Sequence, residues 1–237
     1  MRLQLHHTQS TKKSRSLKEI AKALSIAKAR KVWRTTKLNA KRNNLFYGQS
    51  VDKITQYKFF QENEIPALEF TENMDVAHQW LEEGATVFAR KLLNSSCGKG
   101  IVIHEPPLEG QSGTLVDAAV YTKYKKKKRE FRVHVYKDTV VAVVEKKRKK
   151  EFDGERETKI RNLANGYVFC QSVTNEPEGL RDLALRASKV SKSHFRGVDI
   201  GYNEKKDELF VIEVNSAPGI QGSNIGKYVN AIISSEV

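Results

Sequence analysis

Three oxygen-bearing side chains stand inside two apolar runs near the end of the sequence. Asp199 interrupts Val198-Asp199-Ile200, and Glu213 and Asn215 fall in Phe210-Val211-Ile212-Glu213-Val214-Asn215. An acid within such a run is costly unless it is paired or bound to a metal. Both runs read as strands, so Glu213 and Asn215, two residues apart, share a face that Asp199 can reach from the neighbouring strand. Oxygen ligands without histidine or cysteine suit magnesium held jointly with nucleotide phosphates. A buried salt bridge to one of the many lysines is the alternative reading.

Upstream, the loop Asn94 to Gly100 joins two extended stretches and is rich in small residues. Its members Ser95, Ser96, Gly98, Lys99 and Gly100 let backbone N–H groups approach phosphate oxygens, and Lys91 and Lys99 add positive charge. It is neither a Walker motif nor a dinucleotide glycine fingerprint, and a purely structural glycine hairpin would look the same. Glu130-Phe131-Arg132-Val133-His134-Val135 alternates charged and apolar residues, which puts Glu130, Arg132 and His134 on one face. Glu145, Lys146 and Lys147 end the next strand. These residues form either one wall of a nucleotide cleft or a solvated cationic sheet face, and His134 reads as structural.

The elements that must position these groups follow from periodicity. Ser16-Leu17-Lys18-Glu19 has capping-box form and starts a helix. Asp52 caps a second helix through Glu64, with Ile54, Tyr57 and Phe60 inward, and a third runs from about Met74 to Glu83 with Gly84 as its stop. From there the pattern turns extended: Thr86 to Leu93, Ile101 to His104, Leu115 to Tyr124, Phe131 to Tyr136, Thr139 to Glu145 and Tyr167 to Val173. Glu178 to Phe195 is an amphipathic helix, Gly197 to Tyr202 and Glu208 to Asn215 are a closing pair of strands, and a last helix begins near Asn224. Without a regular βαβ alternation, the class is α+β.

Charge is concentrated rather than spread over the 237 residues, whose net charge is +14. Residues 1–50 carry thirteen Lys or Arg against the single acid Glu19, and residues 121–150 carry thirteen against Glu130, Asp138 and Glu145. Everything else is net acidic. Such blocks favour polyanions, although a solvated lysine face explains the first block equally well and its basic helix also has something of a transit peptide. The lysine run Lys125 to Lys128 reads as solvated. Cys97 and Cys170 suggest neither a disulfide framework nor a zinc site, and a reducing cytosol is the expected home. No apolar stretch is long enough to span a bilayer, and Met1 to Ser10 lacks the apolar core of a secretory signal.

Taken together, Gln49 to Ile233 resembles the ATP-grasp superfamily, and within it the RimK-like amino-acid ligases, in a compact form like that of phage-associated members. The resemblance is carried by Gly197-Val198-Asp199-Ile200 with Ile212-Glu213-Val214-Asn215-Ser216-Ala217-Pro218-Gly219, and by Ala89 to Gly100. It implies an ATP-grasp fold in which two α+β lobes grip ATP between antiparallel sheets. A basic segment, 1–48, would precede a grasp domain, 49–237, with a small lobe at about 84–120 and a C-terminal lobe at about 121–237. It also implies ATP with two Mg2+ ions, replaceable by Mn2+, the metals resting on Asp199, Glu213 and Asn215. The nucleotide would be held by Lys53, Lys91, Ser95, Ser96, Gly98, Lys99, Gly100, the adenine linker Tyr121, Lys123 and Tyr124, and Glu130. Arg132, Lys146 and Asn162 would serve the chemistry. The implied reaction joins a carboxylate to an amine through an acyl phosphate, releasing ADP and phosphate. The basic blocks suit an acceptor that is an acidic peptide, a protein or attached to nucleic acid. The linker departs from the family in carrying Thr122-Lys123, followed by the lysine run. The rival is a nucleic-acid-binding protein without ligase activity, which leaves the three oxygen ligands unexplained.

Overall fold

The computed structural model describes residues 3–7, 14–29, 43–93, 100–108, 111, 113–154 and 157–236. Its largest unit is a five-stranded antiparallel sheet of order β11-β10-β7-β8-β9, built from β7 (Arg129–Tyr136), β8 (Thr139–Arg148), β9 (Tyr167–Cys170), β10 (Phe195–Asn203) and β11 (Glu208–Asn215). A four-stranded sheet, β3-β6-β4-β5, contains β3 (Phe70–Thr71), β4 (Val87–Arg90), β5 (Ile101–His104) and β6 (Val120–Lys123). Two short parallel strands, β1 (Leu3–His7) and β2 (Asn43–Tyr47), form a third sheet that the sequence pattern had not indicated.

The two faces of the large sheet have different fates because its side chains alternate. Phe131, Val133 and Val135 of β7, with Val198 and Ile200 of β10, pack on α2 (Lys53–Glu62) and α4 (Leu180–Ser188) through Tyr57, Phe60, Leu180, Leu183, Ala184 and Ala187. The intervening Arg132, His134 and Asp199 point the other way, into a cleft. Beyond the cleft the same face is covered by α1 (Arg15–Ala29) and α5 (Ser223–Glu236), where Leu17, Ile20 and Leu24 meet Tyr136, Phe195, Tyr228 and Ile232. The four-stranded sheet puts Val87, Ala89 and Tyr121 against α3 (Met74–Glu82) and turns Phe88 and Arg90 to the cleft.

Several boundaries differ from expectation. The first helix is capped by Ser14, whose Oγ accepts from Leu17 N–H, while Ser16 is buried inside it and its Oγ accepts from Ile220 N–H. The capping box is thus a chance match, because the hydroxyl is used for a tertiary contact. The expected helix from Glu178 to Phe195 covers only Leu180–Ser188, and residues 189–194 instead turn to meet residues 46 and 49 through His194, Ser193 and Ser191. Of Leu115 to Tyr124, only Val120–Lys123 pairs as a strand. Asp52 caps α2 as expected, its side chain accepting from Thr55 N–H.

Candidate active site

The cleft between the two larger sheets has a volume of about 790 Å3, within the range of small-molecule sites. Asp199 and Glu213 face each other directly across the β10–β11 pair at its floor. A β-bulge makes this possible. Asp199 pairs with Glu213 but Ile200 pairs with Val211, so Ile212 is the extra residue. The slip lets Ile212, Glu213 and Asn215 all line the cleft while Val211 and Val214 stay in the core.

Each carboxylate meets cations of the chain itself. Arg132 grips Asp199 with two hydrogen bonds of 2.7 Å, and Lys146 Nζ stands 3.0 Å from the same group. Lys53, the first residue of α2, donates to Glu213 at 2.5 Å, and Asn215 donates to the other Glu213 oxygen. The buried salt bridge foreseen as an alternative is therefore realised. Burial alone would raise both acids, but it is outweighed for Asp199 by Arg132 and Lys146 and for Glu213 by Lys53, Arg90 and Lys146, so both stay ionised well below the usual carboxylate range. Glu130, 3% exposed, accepts from Lys146 and lies 3.5 Å from Lys127.

Other expected residues divide sharply. Lys123, Tyr124, Glu130, Arg132, Lys146 and Asn162 line the cleft. Lys91 does not: strand alternation turns it to solvent, and the neighbouring Arg90 takes the inward place. Tyr121 is packed in the core of the small sheet, its hydroxyl donating to Val116 O and accepting from Ala118 N–H. Gly100 is outside the lining, with its carbonyl accepting from Lys91 N–H. Ser95, Ser96, Gly98 and Lys99 lie outside the described residues.

The lysine run is not uniformly solvated either. Lys125 and Lys127 point into the cleft and Lys126 and Lys128 point out, as the alternation of an extended segment requires. Lys127 Nζ donates to Lys159 O, and its burial lowers its pKa. The sequence reading gave no role to Arg90, Lys127 or Lys159, because nothing local marks which lysine or arginine of a basic stretch faces inward. Phe88 stacks on Tyr124 at 5.4 Å, and Leu68, Ile101, Phe210 and Ile212 add apolar lining to the cleft. His134, 2% exposed, is held neutral down to a pKa of about 3 by burial and by the nearby Arg132, and it contacts the Tyr228 hydroxyl.

These residues fit a magnesium–nucleotide complex. Among the described residues, eight Lys or Arg side chains line the cleft against three carboxylates, a balance that suits a polyphosphate. Arg90 lines the cleft at 7% exposure, where its charge can meet a phosphate, and its Nε has no hydrogen-bond partner among the described residues. The converging donors are two carboxylates and an amide, all oxygen, as magnesium prefers. Among the described residues no group of three or more His, Cys, Asp and Glu could hold a metal ion.

Comparison with known proteins agrees with this geometry. Residues 51–235 match the RimK-like ATP-grasp domain. No curated protein matches the chain. A RimK-domain ATP-grasp protein from Sphaerobacter thermophilus superposes with a TM-score of 0.58 at 13% identity, over 100% of this chain and 99% of that one. The ATP-grasp ligase PsnB with its minimal precursor gives 0.58 at 15% identity, over 82% of this chain and 66% of PsnB, and it has also been solved with Mg and ADP. The chain thus spans just under two thirds of PsnB. D-alanine–D-alanine ligase from Bacillus anthracis gives 0.55 at 15% identity, over 81% and 74%. No described helix is long and apolar enough to cross a membrane. The protein belongs to the RimK-like ATP-grasp family.

Proposed function

We propose that this protein is an ATP-dependent carboxylate–amine ligase working through an acyl phosphate. The observation that carries the reading is the pairing of Asp199 with Glu213 across two strands at the floor of a strongly cationic cleft. Asp199, Glu213 and Asn215 would hold two magnesium ions, or manganese in their place. When bound, these metals neutralise charge on the transferring phosphoryl group. Lys53, Arg132 and Lys146 would neutralise the rest, releasing Glu213 and Asp199 to the metals, and Arg90 would add a further positive charge. A substrate carboxylate oxygen attacks the γ-phosphorus and ADP leaves. An amine then attacks the acyl carbon, phosphate leaves and the amine gives up a proton. Positioning and electrostatics do the work, with no covalent enzyme intermediate.

The adenine is assigned to the apolar lining of the cleft, with the stacked Phe88 and Tyr124, Phe210 and Ile212 as its candidate contacts, and Lys123 is assigned to the nucleotide. The loop Ser95, Ser96, Gly98, Lys99 and Gly100 is assigned to the phosphates on family resemblance, and Asn162 to the reacting centre. An acidic peptide or protein is the acceptor we favour, given the basic blocks, and the cytoplasm the compartment. Binding of nucleic acid alone gives no reason for two carboxylates to stand on the floor of a cationic cleft, even though both are salt-bridged within the chain.

The test is ADP release from magnesium-ATP while amino acids, peptides and acidic polymers are supplied, compared between wild type and Glu213→Gln. The variant should lose turnover by orders of magnitude. It should also lose stability, because Lys53 is left buried without its partner, at a cost of about 3–5 kcal/mol. Magnesium with a non-hydrolysable ATP analogue should raise the melting temperature of wild type only. Wild-type turnover in a folded Glu213→Gln protein would overturn the metal assignment.

A further inference from the structure

The five residues after Asn215 are held by parts of the chain that the sequence pattern assigns to a separate basic segment. Ser216 O accepts from Gly48 N–H at 2.9 Å and from the buried Ser193 hydroxyl at 2.9 Å. Pro218 O accepts from the Tyr47 hydroxyl at 2.7 Å, in a contact shut off from solvent. Ile220 N–H donates to Ser16 Oγ at 3.0 Å, also buried. Three of these four hydrogen bonds come from residues 16–48. Irregular backbone cannot satisfy its own polar groups when buried, so it takes its shape from whatever supplies partners.

This turn is also part of the cleft wall. Ala217, Pro218 and Gly219 line the cleft beside Asn215, and Pro218 sits so close to β10 that a Cβ added at Gly197 would lie 2.8 Å from its ring. Gly197 is the residue paired with Asn215. The position of Asn215 is therefore fixed from one side by β10 and from the other by the turn.

We propose that Ser16 and Tyr47 are positioning residues for the metal end of the site: by clamping the Ser216–Ile220 turn they hold Asn215 where its amide oxygen can join Asp199 and Glu213. The segment before residue 49 then does more than display charge, since its helix α1 carries one jaw of the clamp and the end of β2 the other. This rests on the reading of the site given above.

The experiment measures Mn2+ binding by the disappearance of the free-ion EPR signal, in the presence of a non-hydrolysable ATP analogue. Variants Ser16→Ala, Tyr47→Phe and the pair are compared with Ser188→Ala, which removes a buried hydroxyl bond to Leu185 O on α4, away from the cleft. Groups that orient a metal ligand typically change affinity by about 10- to 100-fold when removed. The double variant should weaken Mn2+ binding about tenfold, Ser16→Thr should restore most of the Ser16→Ala loss, and Ser188→Ala should leave affinity at the wild-type value. Unchanged Mn2+ affinity in a folded double variant overturns the clamp, as does an equal loss in Ser188→Ala at matched melting temperature. Should the double variant not fold, Tyr47→Phe alone, which keeps the ring and the packing, decides on the same readout. Absence of Mn2+ binding by the wild type would instead overturn the reading of the site, and the clamp with it.

Discussion

Arg90 and Lys91 are neighbours in sequence and opposites in position. Strand alternation gives the cleft one of them only, and the one it receives is the arginine with an unpartnered Nε. A charge-assisted hydrogen bond contributes about 1.5–3 kcal/mol, so Arg90→Ala should weaken binding of a non-hydrolysable ATP analogue by about 10- to 100-fold. Lys91→Ala should change it little. Calorimetric titration of both variants distinguishes them, and equal losses would mean that the phosphates lie elsewhere. His134 makes a different demand. Its folded pKa of about 3 lies below the ordinary 6.5, through burial and the charges of Arg132 and Lys227 set against Asp199. Between these values the unfolded chain takes up a proton that the folded chain refuses, so stability falls as pH drops below 6.5 and keeps falling to about 3. The slope from this group is at most about 1.4 kcal/mol per pH unit. Urea midpoints at pH 7 and pH 5 should differ less for His134→Asn than for wild type.

At the scale of elements, two local devices place the charged groups. The bulge at Ile212 re-aims Glu213, and the cap of α2 places Lys53 opposite it. Asp52 accepts from Thr55 N–H at 3.0 Å and from the Thr55 hydroxyl at 2.6 Å, which caps the helix so that Lys53 is its first residue. Removing such a cap costs about 1 kcal/mol. Asp52→Ala should lose about that much in chemical denaturation and should also weaken nucleotide binding, because Lys53 is in the first turn that frays. Asp52→Asn keeps an acceptor at the cap and should lose little of either. If Asp52→Ala were destabilised with nucleotide affinity intact, Lys53 would not depend on the cap for its placement.

At the scale of the molecule, a lysine that lines the cleft also ties its two sheets together. Lys159, in the segment after β8, donates to Glu105 just beyond β5, tying the five-stranded sheet to the four-stranded one. Glu105 is lowered below its ordinary range chiefly by this lysine, and Thr86 shares the same carboxylate. The pair is half open to water, with side-chain exposures of 27% and 54%, so its contribution is about 0–1 kcal/mol. A latch of that strength tunes opening without sealing the cleft. Glu105→Gln should speed dissociation of a fluorescent ATP analogue by no more than about fivefold in stopped-flow displacement, and raised salt should narrow the difference. A change far beyond that would mean the bridge is part of a larger interface.

The sequence by itself determined the class of fold and most of the helices and strands, and it singled out Asp199, Glu213 and Asn215, polar residues in apolar runs that the structure brings to one cleft. Alternation was enough to put Glu130, Arg132 and His134 on one face. It was not enough for Lys91, where a one-residue difference in phase exchanges solvent for cleft, or for Lys127, where four lysines in a row offer no contrast to read. The bulge was invisible for a related reason: an extra residue is defined by its partner strand, not by its neighbours in the chain. Only the tertiary structure could show that Ser16 closes a bond with Ile220, because a hydroxyl that caps its own helix and one that clamps a distant turn look identical in sequence. Short-range patterns record what a residue needs, burial or water, and the folded chain decides which distant group supplies it.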